Sequence, residues 1–133
     1  MEQPLLVTVA MIVEKNKILL VKRSRTPFKG YWSLIGGCGA FEKYSDPLDA
    51  VKLEVKADLN CSFAPEFLTY SYHEFRVPTV SLFFYGKIIG KPSVNKEFAS
   101  EYNWFPLKEA AKMELAFAHG TIVSQLISRL KEN

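Results

Sequence analysis

The chain has 133 residues, 48% of them hydrophobic and 23% charged, which is an ordinary balance for one globular domain spanning residues 1–133. Its net charge of +3 comes without a run of Lys or Arg, so we expect no nucleic-acid partner. Two cysteines without metal or redox spacing, and an N-terminal apolar run too short to cross a bilayer, lead us to expect a cytoplasmic protein that makes no membrane contact.

The N-terminal segment predicts a β-hairpin. Leu5–Glu14 is almost continuously apolar and rich in β-branched residues, which is typical of a buried central strand. A polar turn at Lys15-Asn16-Lys17 separates it from a second strand at Ile18–Arg23.

A loop at Ser24–Tyr31 follows, in which Pro27 and Gly30 interrupt regular structure. Two cations, Arg25 and Lys29, lie close in sequence to three aromatic residues, Phe28, Tyr31 and Trp32. Cations among aromatic rings can hold a phosphate and stack a base or sugar. Equally, the aromatic rings can pack into the core beneath charged tips, so both interpretations stay open.

The next regular element is a helix that begins after Asp46, a good N-cap, with Pro47 at its first position. Asn60 can end it in a left-handed conformation. Four apolar residues recur at helical spacing and predict its buried stripe: Leu48, Val51, Val55 and Leu59.

Glu54 and Asp58 lie one turn apart on this helix, where like charges repel each other. A divalent cation between the two carboxylates would relieve that repulsion, and oxygen ligands suit Mg²⁺ or Mn²⁺. The alternative is a solvated acidic face whose repulsion is softened by Lys52 and Lys56.

The second half of the chain predicts more strands and two helices. Strands are expected at Phe67–Tyr72, Thr79–Ile89 and Asn103–Phe105, and helices at Leu107–Lys112 and Gly120–Lys131. The connection His73–Pro78 contains Arg76. Glu97 and Glu101 precede the strand at Asn103–Phe105. This order suggests a mixed sheet covered by helices on both faces.

The stretch Trp32–Cys61 resembles the Nudix box, G-x5-E-x7-R-E-U-x-E-E-x-G-U, where U is a bulky aliphatic residue. Glu54 matches the glutamate after the arginine, Asp58 matches the last glutamate, and Gly36 and Gly37 resemble the paired glycines of many members. Outside the box, the resemblance to MutT-like, ADP-ribose pyrophosphatase-like members covers nearly the whole chain through PFKGYWSL, TVSLFFYGKI, EYNWFPLKEA and LAFAHGTIV. It implies an α/β protein with the Nudix-type α/β/α sandwich, a mixed β-sheet between helices.

Several positions depart from the pattern. Leu53 stands in place of the arginine, Ala57 in place of one of the paired glutamates, and Asn60 in place of the glycine. The segment between Gly37 and Leu53 is longer than the pattern, so the first glutamate is lost and Glu42 is the nearest acid. We therefore expect a low catalytic rate.

The resemblance implies metal-dependent hydrolysis of a nucleoside diphosphate linked to another moiety, with an ADP-ribose-like substrate favoured. It implies that Glu54 and Asp58 are catalytic and bind Mg²⁺ or Mn²⁺, and that Glu97 or Glu101 adds a ligand, unless these two are ordinary loop acids. The expected substrate-binding residues are Arg25, Lys29, Trp32, Gly36, Gly37 and Arg76.

Two other functions remain open on the same residues. The chain can be a weak or inactive Nudix domain that binds a nucleotide as a sensor or interaction module, although family sensors carry an additional DNA-binding domain for which we expect no room here. It can also be a scaffold that binds neither metal nor nucleotide. A homodimer is possible, since dimers are common among similar proteins.

Overall fold

The computed structural model describes residues 4–37, 46–74 and 76–132. The regular elements are β1 (Leu5–Glu14), β2 (Lys17–Arg23), β3 (Trp32–Ser33), β4 (Ile35–Gly37), α1 (Pro47–Leu59), β5 (Ser62–His73), β6 (Thr79–Ile89), β7 (Ala99–Pro106), α2 (Leu107–Ala110), a 3₁₀ turn (Ala116–Ala118) and α3 (Gly120–Lys131). No helix within these ranges is long and apolar enough to cross a membrane.

The strands form one mixed sheet with the order β3-β2-β1-β6-β5, in which β4 also pairs with β1 and β7 with β2. The β1–β6 pairing is parallel, while β1–β2, β1–β4 and β5–β6 are antiparallel. The predicted hairpin and mixed sheet are therefore confirmed.

Strand β1 is buried on both faces of the sheet, as its continuous apolar run predicts. Val9 and Met11 contribute to the core that packs beneath α3, whereas Ala10 and Ile12 contribute to the core beneath α1. Alternate residues of one strand thus hold both helical layers, because successive side chains point to opposite faces. The predicted covering of the sheet by helices on both faces is confirmed.

Several boundaries differ from the prediction. Strand β5 starts at Ser62 rather than at the predicted Phe67, because it pairs with β6 from Ser62 opposite Ile89 onward. Strand β7 starts at Ala99 rather than Asn103. Its first residues pair with β2, but Ser100 and Glu101 are polar and exposed, so they give no apolar signal for a strand. The short strands β3 and β4 were not predicted.

Helix α1 begins and ends as the sequence predicts. The Asp46 carboxylate accepts a hydrogen bond from the Leu48 N–H at 2.9 Å, and Asn60 ends the helix with a φ of 57°. The buried stripe differs at one position, because Leu48 stays 42% exposed and Ala50 is buried instead.

The loop before β7 fixes the C-terminal end of α1. The Ser93 N–H donates to the Leu59 carbonyl and the Asn95 N–H to the Asp58 carbonyl, both at 2.9 Å. These bonds satisfy carbonyls that a helix end leaves without partners. The last turn of α1, which carries Asp58, is thereby held against the body of the protein.

Candidate functional site

Glu54 and Asp58 face a cavity of about 810 Å³ between α1, β4 and the segment that follows β2. Gly36 and Gly37 line this cavity together with the two acids. We call it the acid cavity. Both carboxylate residues are partly buried, so they do not form an open acidic surface.

The lysines that the solvated-face alternative invoked lie elsewhere. Lys52 and Lys56 line a separate cleft on α1, together with Asp49. That cleft shares no lining residue with the acid cavity among the described residues. The placement disfavours the interpretation of the two acids as part of an ordinary charged helix face.

The environment of Asp58 disfavours its negative charge. Burial, and after it the neighbouring Glu54 carboxylate, raise the pKa of Asp58 from 3.8 to about 7. Both causes disfavour the ionised form, and a bound cation would offset them by pairing with the negative charge.

The described residues contain no group of three or more His, Cys, Asp or Glu side chains that could hold a metal ion. Mg²⁺, however, commonly binds through one or two carboxylates while retaining waters and substrate phosphate oxygens. Glu54 and Asp58 fit that mode of binding, in which the ligand completes the coordination.

Gly37 is needed for the position of the Glu54 carboxylate. A Cβ added at Gly37 would lie 2.7 Å from Glu54 Oε2 and 2.8 Å from Oε1. We expect Gly37→Ala to displace this carboxylate and to weaken Mg²⁺ binding about tenfold. Because Glu54 can move aside, the melting temperature should change little. Calorimetric titration with Mg²⁺ and thermal unfolding measure the two effects. Unchanged Mg²⁺ affinity would show that the close contact between Gly37 and the Glu54 carboxylate does not matter for metal binding.

Three cationic side chains line the acid cavity: Arg23, Arg25 and Lys29. Arg23 is partly buried; its Nε donates to the Pro27 carbonyl at 2.8 Å, and its guanidinium lies 5.2 Å from the centre of the Phe117 ring. Burial, followed by repulsion from Arg25, lowers the pKa of Arg23. Arginine nevertheless remains charged, so this cavity offers a fixed cation to an anionic group.

A second cavity of about 310 Å³ adjoins the acid cavity, and we call it the apolar cavity. Leu5, Val7 and Val9 of β1 contribute to its apolar wall, and Arg76 also lines it. Five residues line both cavities and so form their common boundary: Arg23, Ser33, Leu34, Gly36 and Gly37. A ligand with a charged centre and a small group linked to it could therefore occupy both.

His119 lines the apolar cavity beside His73. Its Nδ1 is buried and has no hydrogen-bond partner in the described part of the chain. Burial, and then His73, lower the pKa of His119 to about 4, so its imidazole is neutral at physiological pH. A neutral imidazole can donate or accept a hydrogen bond, and this one belongs to a residue that lines the apolar cavity.

The sequence matches the NUDIX domain family over residues 4–126. The chain belongs to the Nudix family. A curated relative, the ADPR responsive transcriptional repressor NtrR of Acinetobacter baylyi, is 28% identical over 119 residues. The match covers 86% of this chain and 48% of that protein, so the chain spans about half the length of this relative.

Solved Nudix structures share the fold. The MutT NUDIX hydrolase from Burkholderia pseudomallei is 27% identical and has a TM-score of 0.80, with 93% of this chain and 98% of that chain covered. The NUDIX domain of Shewanella oneidensis NrtR, solved with ADP ribose, is 24% identical and has a TM-score of 0.82. The match covers 98% of this chain and 90% of that one.

The structure brings some of the predicted Nudix site residues together. Arg25, Lys29, Gly36 and Gly37 line the acid cavity with Glu54 and Asp58. Arg76 lines the apolar cavity but not the acid cavity.

Three predicted site residues lie elsewhere. Trp32 packs edge-on against Phe105, with ring centres 4.9 Å apart, in the core on the α3 side. Glu97 and Glu101 are exposed and do not line the acid cavity. The side chain of Glu101 lies on the face of β7 opposite to Tyr102, which packs in the α1-side core, so Glu101 faces away from α1.

Sequence reasoning missed Arg23, Phe117 and His119. Arg23 ends a predicted strand, so its role depends on how the following loop folds back over it. Phe117 and His119 belong to the LAFAHGTIV segment, which supported the family resemblance, but that segment is far in sequence from the box.

Proposed function

We propose that this Nudix domain binds a nucleoside diphosphate linked to another moiety, such as ADP-ribose, and hydrolyses it slowly with Mg²⁺ or Mn²⁺. The observation that carries the proposal is the junction of the two cavities at Arg23, Gly36 and Gly37. A diphosphate in the acid cavity would meet Arg23, Arg25 and Lys29, and the moiety linked to it would reach the apolar cavity.

In this proposal Glu54 and Asp58 hold the divalent ion, which when bound neutralises phosphate charge and activates water. Because Gly37 has no side chain, the Glu54 carboxylate can lie against its backbone at the wall of the acid cavity. Arg23 binds the diphosphate with a guanidinium whose position is already fixed by Pro27 and Phe117. Leu53 offers no charge-assisted hydrogen bond to orient Glu54, which supports a slow reaction.

The test is release of AMP or phosphate from a panel of nucleoside diphosphate derivatives with Mg²⁺ or Mn²⁺. We expect slow, metal-dependent turnover that falls about 100-fold or more in Glu54→Gln, since an amide cannot replace the carboxylate as ligand or base. Asp49→Asn is the matched control, because this acid lies on the same helix but lines the separate cleft. Turnover that persists in Glu54→Gln would contradict the assignment.

A second candidate function is nucleotide sensing without hydrolysis. It is supported by the relatives, one described as an ADPR responsive repressor and another solved with ADP ribose. In that case ADP-ribose would raise the melting temperature of the protein without being consumed.

Binding to DNA is a separate question for this chain. Shewanella oneidensis NrtR has also been solved with a 27mer DNA; that structure is 22% identical, has a TM-score of 0.70, and is matched over 96% of this chain and 61% of that one. The absence of a nucleic-acid partner therefore stays a prediction, which an electrophoretic mobility shift with duplex DNA tests.

A further inference from the structure

We infer that Phe117 limits the size of the group that the site accepts beyond the diphosphate, an inference that rests on the proposed function. The apolar cavity has a neighbour, an open cleft of about 680 Å³ whose lining includes Phe28, Tyr31 and Met113. Phe117, His73 and His119 line both spaces. The Phe117 ring is therefore part of the wall between the apolar cavity and this cleft.

The position of this ring is fixed by contacts on two sides. The Phe28 ring meets it edge-on with centres 4.8 Å apart, and the Arg23 guanidinium lies 5.2 Å from its centre. The first contact links the ring to the loop after β2, and the second links it to the boundary between the acid and apolar cavities. Movement of Phe117 would disturb the cation proposed to bind the diphosphate.

The backbone around this wall is strained. Phe117, Ala118 and Phe28 have φ values of 60°, 57° and 64°, a left-handed conformation that residues with side chains rarely adopt. Such conformations persist where surrounding contacts enforce them, and they concentrate at ligand-binding sites. The left-handed backbone at Phe117 thus coincides with the ring contacts to Phe28 and Arg23.

The consequence is selection by size. The apolar cavity, at about 310 Å³, is at the lower end of the range of small-molecule sites. A ribose attached to the diphosphate fits within such a space, whereas a further base on that ribose would have to pass the Phe117 ring to reach the open cleft. ADP-ribose and NAD⁺ form a matched ligand pair for this question, since NAD⁺ adds a nicotinamide to the same terminal ribose.

The experiment measures dissociation constants of ADP-ribose and NAD⁺ by calorimetry, in Mg²⁺ and in the Glu54→Gln background, so that neither ligand is consumed. With Phe117 present, we expect ADP-ribose to bind about tenfold or more tightly than NAD⁺, and in Phe117→Ala we expect that ratio to fall below about threefold. Phe117→Gly is a second variant that removes the ring. Glycine adopts the φ of 60° at this position without strain, so this variant should also keep the local backbone.

Phe98→Ala is the matched control. Its ring stacks on Arg25 at 4.8 Å in the acid cavity but does not line the apolar cavity, so its loss should change both affinities by the same factor. A ratio that stays the same in both Phe117 variants, or one that is near unity with Phe117 present, overturns the inference while the proposed function stands. Failure of the protein with Glu54 intact to bind either ligand in Mg²⁺ overturns both.

Discussion

Replacing Asp58 with Asn should raise the melting temperature of the metal-free protein at pH 8 by ~5 °C or more and remove its stabilisation by Mg²⁺. Burial and Glu54 raise the pKa of Asp58 from 3.8 to about 7 in the folded state. Between these values the folded protein keeps a proton that the unfolded chain has lost, so the free energy of unfolding falls as pH rises through that window. Asn carries no charge and escapes this loss.

Thermal unfolding at pH 5 and pH 8, with and without Mg²⁺, measures this effect. Mg²⁺ should raise the melting temperature of the wild-type protein more at pH 8, where Asp58 is ionised, than at pH 5. Asp49→Asn is again the control, because its carboxylate lies in the first turn of α1 and lines the separate cleft. Asp58→Asn with a lower melting temperature at pH 8, or with full Mg²⁺ stabilisation, would refute the interpretation of the acid pair.

Arg23→Met should weaken binding of ADP-ribose and of ADP by about 100-fold, the effect expected when a partly buried charge partner is lost. Both ligands carry the diphosphate, so the factor should be similar for the two. Met retains apolar contact with the Phe117 ring, which limits the change to the lost charge and hydrogen bonds. Calorimetric titration in Mg²⁺ measures the two dissociation constants.

Arg25→Met provides the comparison for Arg23. Arg25 lines the same cavity but is exposed, and exposed ion pairs contribute little, so its loss should weaken binding by less than ~5-fold. Equal losses in the two variants would mean that general positive charge, rather than the fixed Arg23 guanidinium, attracts the ligand. An unaffected Arg23→Met protein would place the diphosphate elsewhere.

The elements whose signals are local could be predicted from sequence. Helix α1 follows directly from Asp46, Pro47 and Asn60, and β1 from its continuous apolar run. The placement of Glu54 and Asp58 one turn apart on that helix also follows from spacing alone. Which surroundings these acids face depends on β4 and on the loop after β2, and neither leaves a comparable pattern in the sequence.

The errors share a physical origin in long-range pairing. Strand β5 looks like a connector at its start because Ser62, Ala64 and Glu66 are exposed at the sheet edge, yet they pair with β6. The family resemblance implied that Glu101 could be a metal ligand. The alternation of side chains along β7 instead turns Glu101 away from α1. Arg23 and Phe117 are distant in sequence, and only the folded chain stacks one on the other.

The central claim is that Glu54 and Asp58 hold a divalent ion against a diphosphate in the acid cavity. A crystal structure of the protein soaked with Mn²⁺ and ADP-ribose, with anomalous data collected for manganese, tests this most directly. We expect an anomalous peak within coordination distance of both carboxylates and of a diphosphate oxygen, with Arg23 also contacting the diphosphate. ADP-ribose bound away from these two acids, or density for it in the acid cavity with no manganese beside the carboxylates, would contradict the claim.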